Sequence, residues 1–220
     1  DPGILAYGPV AYTEKTGTGS GDAKPVAIFA RLKRAYAKVT VNYTAGTGVS
    51  ITALRVENIP TRIYPFPATG NSPTDAFMNV DLIVNAGQTT YSFFMPENLR
   101  GNGTSTTAKE KNQPDNGPTQ SGSARNLDYC TCIVLTGTYN YYPNNTPENA
   151  ANPISVEYRF YPGADMIRNY DIERGKHYTL TLDLKGANSA DARVTITDGN
   201  VFTIADPDDV THKDDIVFGE

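Results

Sequence analysis

Tryptophan is absent from this chain of 220 residues, which holds only two cysteines and two histidines. Two cysteines cannot build a disulfide framework. Cys130 and Cys132 stand two positions apart inside an apolar run, on one face if that run is a strand. A bridge between them would be strained, so they read as two buried small hydrophobes. Neither a second Cys pair nor a nearby His supports a metal or redox pair. Apolar runs approaching the roughly 20 residues that span a bilayer are also missing. No charged-then-apolar leader opens the chain, and Asp1-Pro2-Gly3 looks like a processed or trimmed start. A basic excess is missing too. The net charge is -5. Residues 206–220 carry six acids (Asp206, Asp208, Asp209, Asp214, Asp215, Glu220) and one base (Lys213), so this tail accounts for all of it and the rest is neutral. Neither nucleic acid nor anionic lipid is expected as a partner of such a chain.

Leucine is scarce as well. It occurs 10 times, against 53 for Val, Ile and Thr together. β-branched side chains are stiff at χ1 and suit a pleated surface, so the chain leans towards strands. The 14 Tyr supply further buriable area. In residues 26–44, Ile28, Ala30 and Leu32 hold one phase, and Ala35, Ala37, Val39, Val41 and Tyr43 hold the other. A flip near Lys33-Arg34 means a bulge or a bend. Residues 49–58 follow the turn Gly46-Thr47-Gly48 and change phase near Ala53-Leu54. Pro60, Pro65 and Pro67 then force an edge or irregular path. Residues 77–84 and 88–95 alternate around Ala86-Gly87 and suggest a hairpin. Residues 127–139 are apolar on both faces, the pattern of a central strand. Residues 154–160 and 178–184 alternate cleanly, with shorter runs at Val194 and Ile196 and at Phe202 and Ile204. No helical stripe lasts three turns, although 165–169 could hold a single turn. Many short strands without crossover helices predict an all-β, antiparallel sandwich. Residues 99–126 break this rhythm with 28 mostly polar positions. By composition they should be exposed and mobile, as a solvated loop or a contact surface. A second, Asn-rich break covers residues 143–153.

Chemistry finds few footholds. His177 opens a strand beside Lys176, and His212 lies in the acidic tail; neither belongs to an H-E-x-x-H pair. Around Ser20, Thr18 and Asp22 occupy the two Gly positions of a nucleophile elbow. Gly175-Lys176 is followed by His177, not by the Ser or Thr of a phosphate loop. Counted from Asp206, the sixth and twelfth positions of a calcium loop are Thr211 and Val217, where Gly and Glu are needed. The tail therefore reads as a solvated charge run. Asn42, Asn102 and Asn144 fit the N-glycosylation pattern, as chance alone provides in an Asn- and Thr-rich chain. No enzyme activity, catalytic residue, metal or cofactor is expected.

Several phrases, in order, resemble a known family. They are residues 32–39 (LKRAYAKV), 55–60 (RVENIP), 91–98 (YSFFMPEN), 135–139 (LTGTY), 160–163 (FYPG) and 169–174 (NYDIER) running into 177–180 (HYTL). Together they look like the fimbrillin-type (type V pilus) surface proteins of Bacteroidales, over roughly residues 26–186. That resemblance implies exported lipoproteins at the outer membrane or in pili, built from two transthyretin-like, Greek-key β-sandwich domains and lacking catalytic residues. It also implies polymerisation by strand exchange, in which a neighbour's terminal segment fills an open groove. The chain lacks the lipid-bearing N-terminal Cys and most of a first domain. Residues 1–25 are then a linker or remnant of an upstream domain, 26–205 the C-terminal sandwich, and 206–220 an acidic tail.

The expected function is a structural subunit or adhesin module of surface fimbriae, located at the cell surface, outer membrane or fimbrium. Its partners would be other fimbrial subunits and a host or bacterial surface glycan or protein, with membrane contact only through a lipid anchor absent from this chain. The alternative is a carbohydrate-binding surface module. Tyr139, Tyr141 and Tyr142, beside the Asn-rich break, are its candidate ligand contacts, unless they cap the core.

Overall fold

The computed structural model describes residues 34–64, 74–119, 124–141, 152–186, 194–196 and 210–213. Nine strands are found there: β1 (Tyr36–Ala45), β2 (Val49–Pro60), β3 (Phe77–Leu82), β4 (Thr90–Pro96), β5 (Cys132–Tyr141), β6 (Asn152–Phe160), β7 (His177–Leu184), β8 (Val194–Ile196) and β9 (Val210–Lys213). One sheet has the order β4-β1-β7-β9 and the other β3-β2-β5-β6-β8. Helical structure among the described residues is limited to two short 3-10 turns, Glu110–Asn112 and Pro114–Asn116.

Period-2 patterning explains the core. Side chains alternate across a strand, so one phase of each strand faces the opposite sheet. Val39 and Val41 of β1, Tyr178, Leu180 and Leu182 of β7, Leu54 and Val56 of β2, Ile133 and Leu135 of β5, and Val156 and Tyr158 of β6 form one buried cluster. Each fully buried aliphatic side chain contributes about 1.5–3 kcal/mol. The phase change read at Ala53-Leu54 is a bulge, with the β2–β5 register shifting between Ile51 and Ala53. The flip near Lys33-Arg34 involves Lys33, which lies outside the described residues, as do Phe202 and Ile204.

The chain is an all-β sandwich, as expected: six of the strand pairings are antiparallel, although one does not follow that pattern, β1 and β7 running parallel. A parallel pair cannot be joined by a tight turn; here the chain passes through β2 and β3 of the other sheet, β4 beside β1, and then β5 and β6 of the other sheet before β7 returns to β1. Residues 77–84 and 88–95 do not form a hairpin either, because β3 pairs with β2 and β4 with β1. The turn is real, since Gln88 N–H donates to the Asn85 carbonyl at 3.0 Å and Gly87 takes a positive φ of 78°. It steps between sheets instead of within one. Finally, β9 lies in the stretch read as a solvated tail and pairs with β7. Its sequence, Val-Thr-His-Lys, is a β-compatible stretch without an acid between Asp209 and Asp214.

The described part of residues 99–126 is likewise not a solvated loop. Arg100, Ser105, Lys111 and Asn112 are buried. Isolated bridges join Asn98 to Ile172 and Asn102 to Asn169. The Tyr170 hydroxyl donates to the Lys111 carbonyl at 2.5 Å, and the Lys111 ammonium donates to the Asp165 carbonyl at 2.8 Å while lying 4.9 Å from the Tyr170 ring centre. The segment thus finds buried partners for its polar groups. Leu127, Cys130, Cys132, Val134, Tyr161 and Tyr170 form a second buried cluster. β5 is consequently covered on both faces, as its two-sided apolar pattern predicts.

Candidate functional site: an apolar groove between two sheet edges

β3 and β4 end their respective sheets. Between them lies a groove of about 260 Å³. Met78, Val80 and Leu82 of β3 form one wall, and Phe93, Phe94 and Pro96 of β4 form the other. Val56 and Ile59 of β2 and Tyr36 of β1 also line it, and none of its described lining residues is charged. Met78 is 47% exposed and Phe94 is 50% exposed. Phe94 occupies the outward phase of β4, opposite Tyr91 and Met95, which are buried. Large apolar side chains left at a strand edge are the kind of surface that another chain covers.

A buried polar network fixes one end of this groove. Glu97 follows β4 directly and meets Arg174 in a two-pronged pair, with Nη2 to Oε1 at 3.1 Å and Nε to Oε2 at 3.2 Å. Arg174 Nη1 also donates to the Tyr64 carbonyl at 2.8 Å. That bond holds the segment after β2, whose Thr61 and Ile63 line the groove. Asn98 is fully buried; its Nδ2 donates to the Tyr129 carbonyl at 2.9 Å and to Thr131 Oγ1 at 2.8 Å. Its Oδ1 accepts from Arg100 Nε at 2.7 Å. The Arg100 guanidinium lies 5.4 Å from the Phe77 ring centre and 5.8 Å from that of Tyr129, so the start of β3 is fixed as well. Burial pushes the Arg100 guanidinium below its ordinary pKa, while its ring contacts favour the charge. Two of the phrases singled out in the sequence, PEN (96–98) and DIER (171–174), therefore meet in space as the anchor of the groove.

Of the tyrosines proposed as ligand contacts, one has a described side chain. Tyr139 is half-buried and packs against the main core. It shares the phase of Ile133 and Leu135, on the core side of β5. Tyr141 ends β5 in register with Asn152; its side chain and all of Tyr142 lie outside the described residues. His177 is half-buried on β7, with Nε2 2.8 Å from Thr40 Oγ1. Burial first, and Lys38 second, lower its pKa. Cys130 and Cys132 are free, buried thiols, each pushed up to about 12 chiefly by desolvation. Among the described residues, no group of three or more His, Cys, Asp or Glu could hold a metal ion, and no helix is long and apolar enough to cross a membrane.

The groove was not identified from sequence. A signal exists in Phe94, an apolar residue on the polar phase of its strand, but naming the opposite wall requires the strand order.

Residues 93–182 match a family described as "Domain of unknown function (DUF4906)". This stretch runs from the groove wall of β4 through the anchoring network into β7. No curated protein matches the chain. Among solved structures, it is similar to the tip fimbrial protein Mfa3 from Porphyromonas gingivalis with C-terminal truncation, at 15% identity and a TM-score of 0.44, covering 84% of this chain and 52% of that one. It is also similar to a fimbrilin (fimA) from Porphyromonas gingivalis W83, at 14% identity and a TM-score of 0.38, covering 83% of this chain and 62% of that one. The chain thus spans between half and two thirds of the length of either structure. Both are named as fimbrial proteins.

Proposed function

We propose that this chain is a structural subunit or adhesin module of bacterial surface fimbriae, assembling through β-strand addition or exchange at the groove between β3 and β4. The groove carries this reading: a partly exposed apolar trough, with no charge among its described lining residues, lies between two strands at sheet edges. An extended segment of a neighbouring subunit entering it gains main-chain hydrogen bonds from an edge, and seats alternate side chains between the walls. The network behind Glu97 and Asn98 holds the trough in shape before a partner arrives, which reduces the ordering cost of binding. The partners are other fimbrial subunits and the location is the cell surface. Attachment to the outer membrane would use a lipid anchor outside this chain. This function needs no catalytic residue.

Electron microscopy of native cells labelled with an antibody to the chain tests the reading. Gold particles along fibres are expected. Cells that express the chain but show neither labelled fibres nor labelled surface would contradict it.

A further inference from the structure

Resting on the strand-addition reading above, we infer that the accepting edge is β4 rather than β3, and that it takes an extended, uncharged segment with apolar side chains at alternate positions. Native sheets protect their edges by shortness, bulges and charge. Among the described residues, four strands lie at sheet edges. β8 has three residues and β9 has four, too few to offer a long ladder. β3 has its pairing with β2 interrupted between Val56 and Ile59, by an extra residue on β2. It also carries Asp81, paired with Arg55 at 2.7 Å, and Asn79, whose Oδ1 accepts the Asn58 N–H. β4 is protected only by Pro96 at its last position, which lacks an N–H. Its seven residues keep an unbroken register with β1, and none is charged.

The backbone of β4 is turned the right way. Tyr43 N–H donates to the Thr89 carbonyl at 2.9 Å. Bonding alternates along an antiparallel pair. Tyr91, Phe93 and Met95 therefore bond to β1, while Thr90, Ser92 and Phe94 point their N–H and C=O groups at the outer edge, where the Thr90 carbonyl accepts Gln88 Nε2 at 2.9 Å. A strand added there lies across the groove mouth. Its inward side chains come between Phe93 and the Met78–Val80 wall, where no described lining residue carries a charge. A charged inward side chain would be desolvated without a partner, so the occupant is uncharged on that face.

Amide hydrogen exchange followed by NMR on the full 220-residue chain tests this with two probes. One is a capped seven-residue peptide alternating valine and threonine; the other has lysine in place of each valine. The valine peptide is expected to slow exchange at Thr90, Ser92 and Phe94 by about tenfold or more, and the lysine peptide to leave it unchanged. Slowing confined to β3 overturns the choice of edge and leaves strand addition at the groove standing. No slowing on either strand overturns strand addition itself. Ser92→Pro removes one outward N–H and spares the bonds to β1. It should weaken the valine peptide by about tenfold, and undiminished binding to this variant would count against β4.

Discussion

Asp165 shows how a single side chain organises the turn that covers β5. Its Oδ1 accepts the backbone N–H groups of Ile167, Arg168 and Asn169 at 2.8, 2.7 and 3.0 Å. This is the place where the sequence allowed one helical turn; the carboxylate satisfies the N–H groups instead. Burial alone would raise the Asp165 pKa, but these three hydrogen bonds outweigh it and hold the carboxyl below its ordinary value. A carboxyl depressed in the folded state adds stability above its unfolded pKa, about 3.9, and loses it as pH falls through the lower folded value. Urea unfolding of Asp165→Asn should therefore give a protein less stable than the parent at pH 7, with the difference shrinking on acidification below about pH 4. A difference that stays constant with pH would mean that the charge is not what matters. Glu97 and Arg174 are bound by stricter conditions, since removing one partner of a buried ion pair typically costs about 3–5 kcal/mol.

At the scale of strands, β5 is the central element of its sheet, and Gly137 sits where β2 bulges past it. Gly137 pairs with Ile51, next to the register shift. A Cβ at this position would collide with the Ser50 carbonyl oxygen. Gly137→Ala is expected to lower stability by about 3 kcal/mol or more, read as a lower urea midpoint with an unchanged slope. An unshifted midpoint would show that β2 can move away freely. The inward phases of β1, β6 and β7 were legible because alternation is a local property, and so was the bulge in β2. Layer membership was not: Asn85 to Gln88 specifies a reversal, but not whether the next strand joins the same sheet. Burial in residues 99–126 was hidden for a related reason. Lys111 and Arg100 are buried by partners such as Tyr170, Asp165 and Phe77, which lie far away in sequence. The groove was hidden too, because an edge is defined by strand order, and only Phe94 betrays it locally.

At the scale of the whole molecule, the described residues form two sheets around a main core, with a second cluster outside β5, and the first described strand lies beside the seventh. The parallel β1–β7 ladder runs in register from Lys38 and His177 to Ala45 and Leu184. If tension enters at Tyr36 and leaves at Leu184, it pulls these two strands lengthwise past each other, so their hydrogen bonds are loaded together. Tension applied at Tyr36 and Pro96 meets the opposite geometry, because those residues face each other at one end of the antiparallel β1–β4 pair. There the bonds would open one after another, like a zipper. Single-molecule pulling through handles at these two pairs of positions should give a clearly higher unfolding force for Tyr36 and Leu184, and equal forces would refute the shear picture. A subunit in a fibre that is dragged by flow would then have its greatest mechanical resistance along the line from the start of β1 to the end of β7.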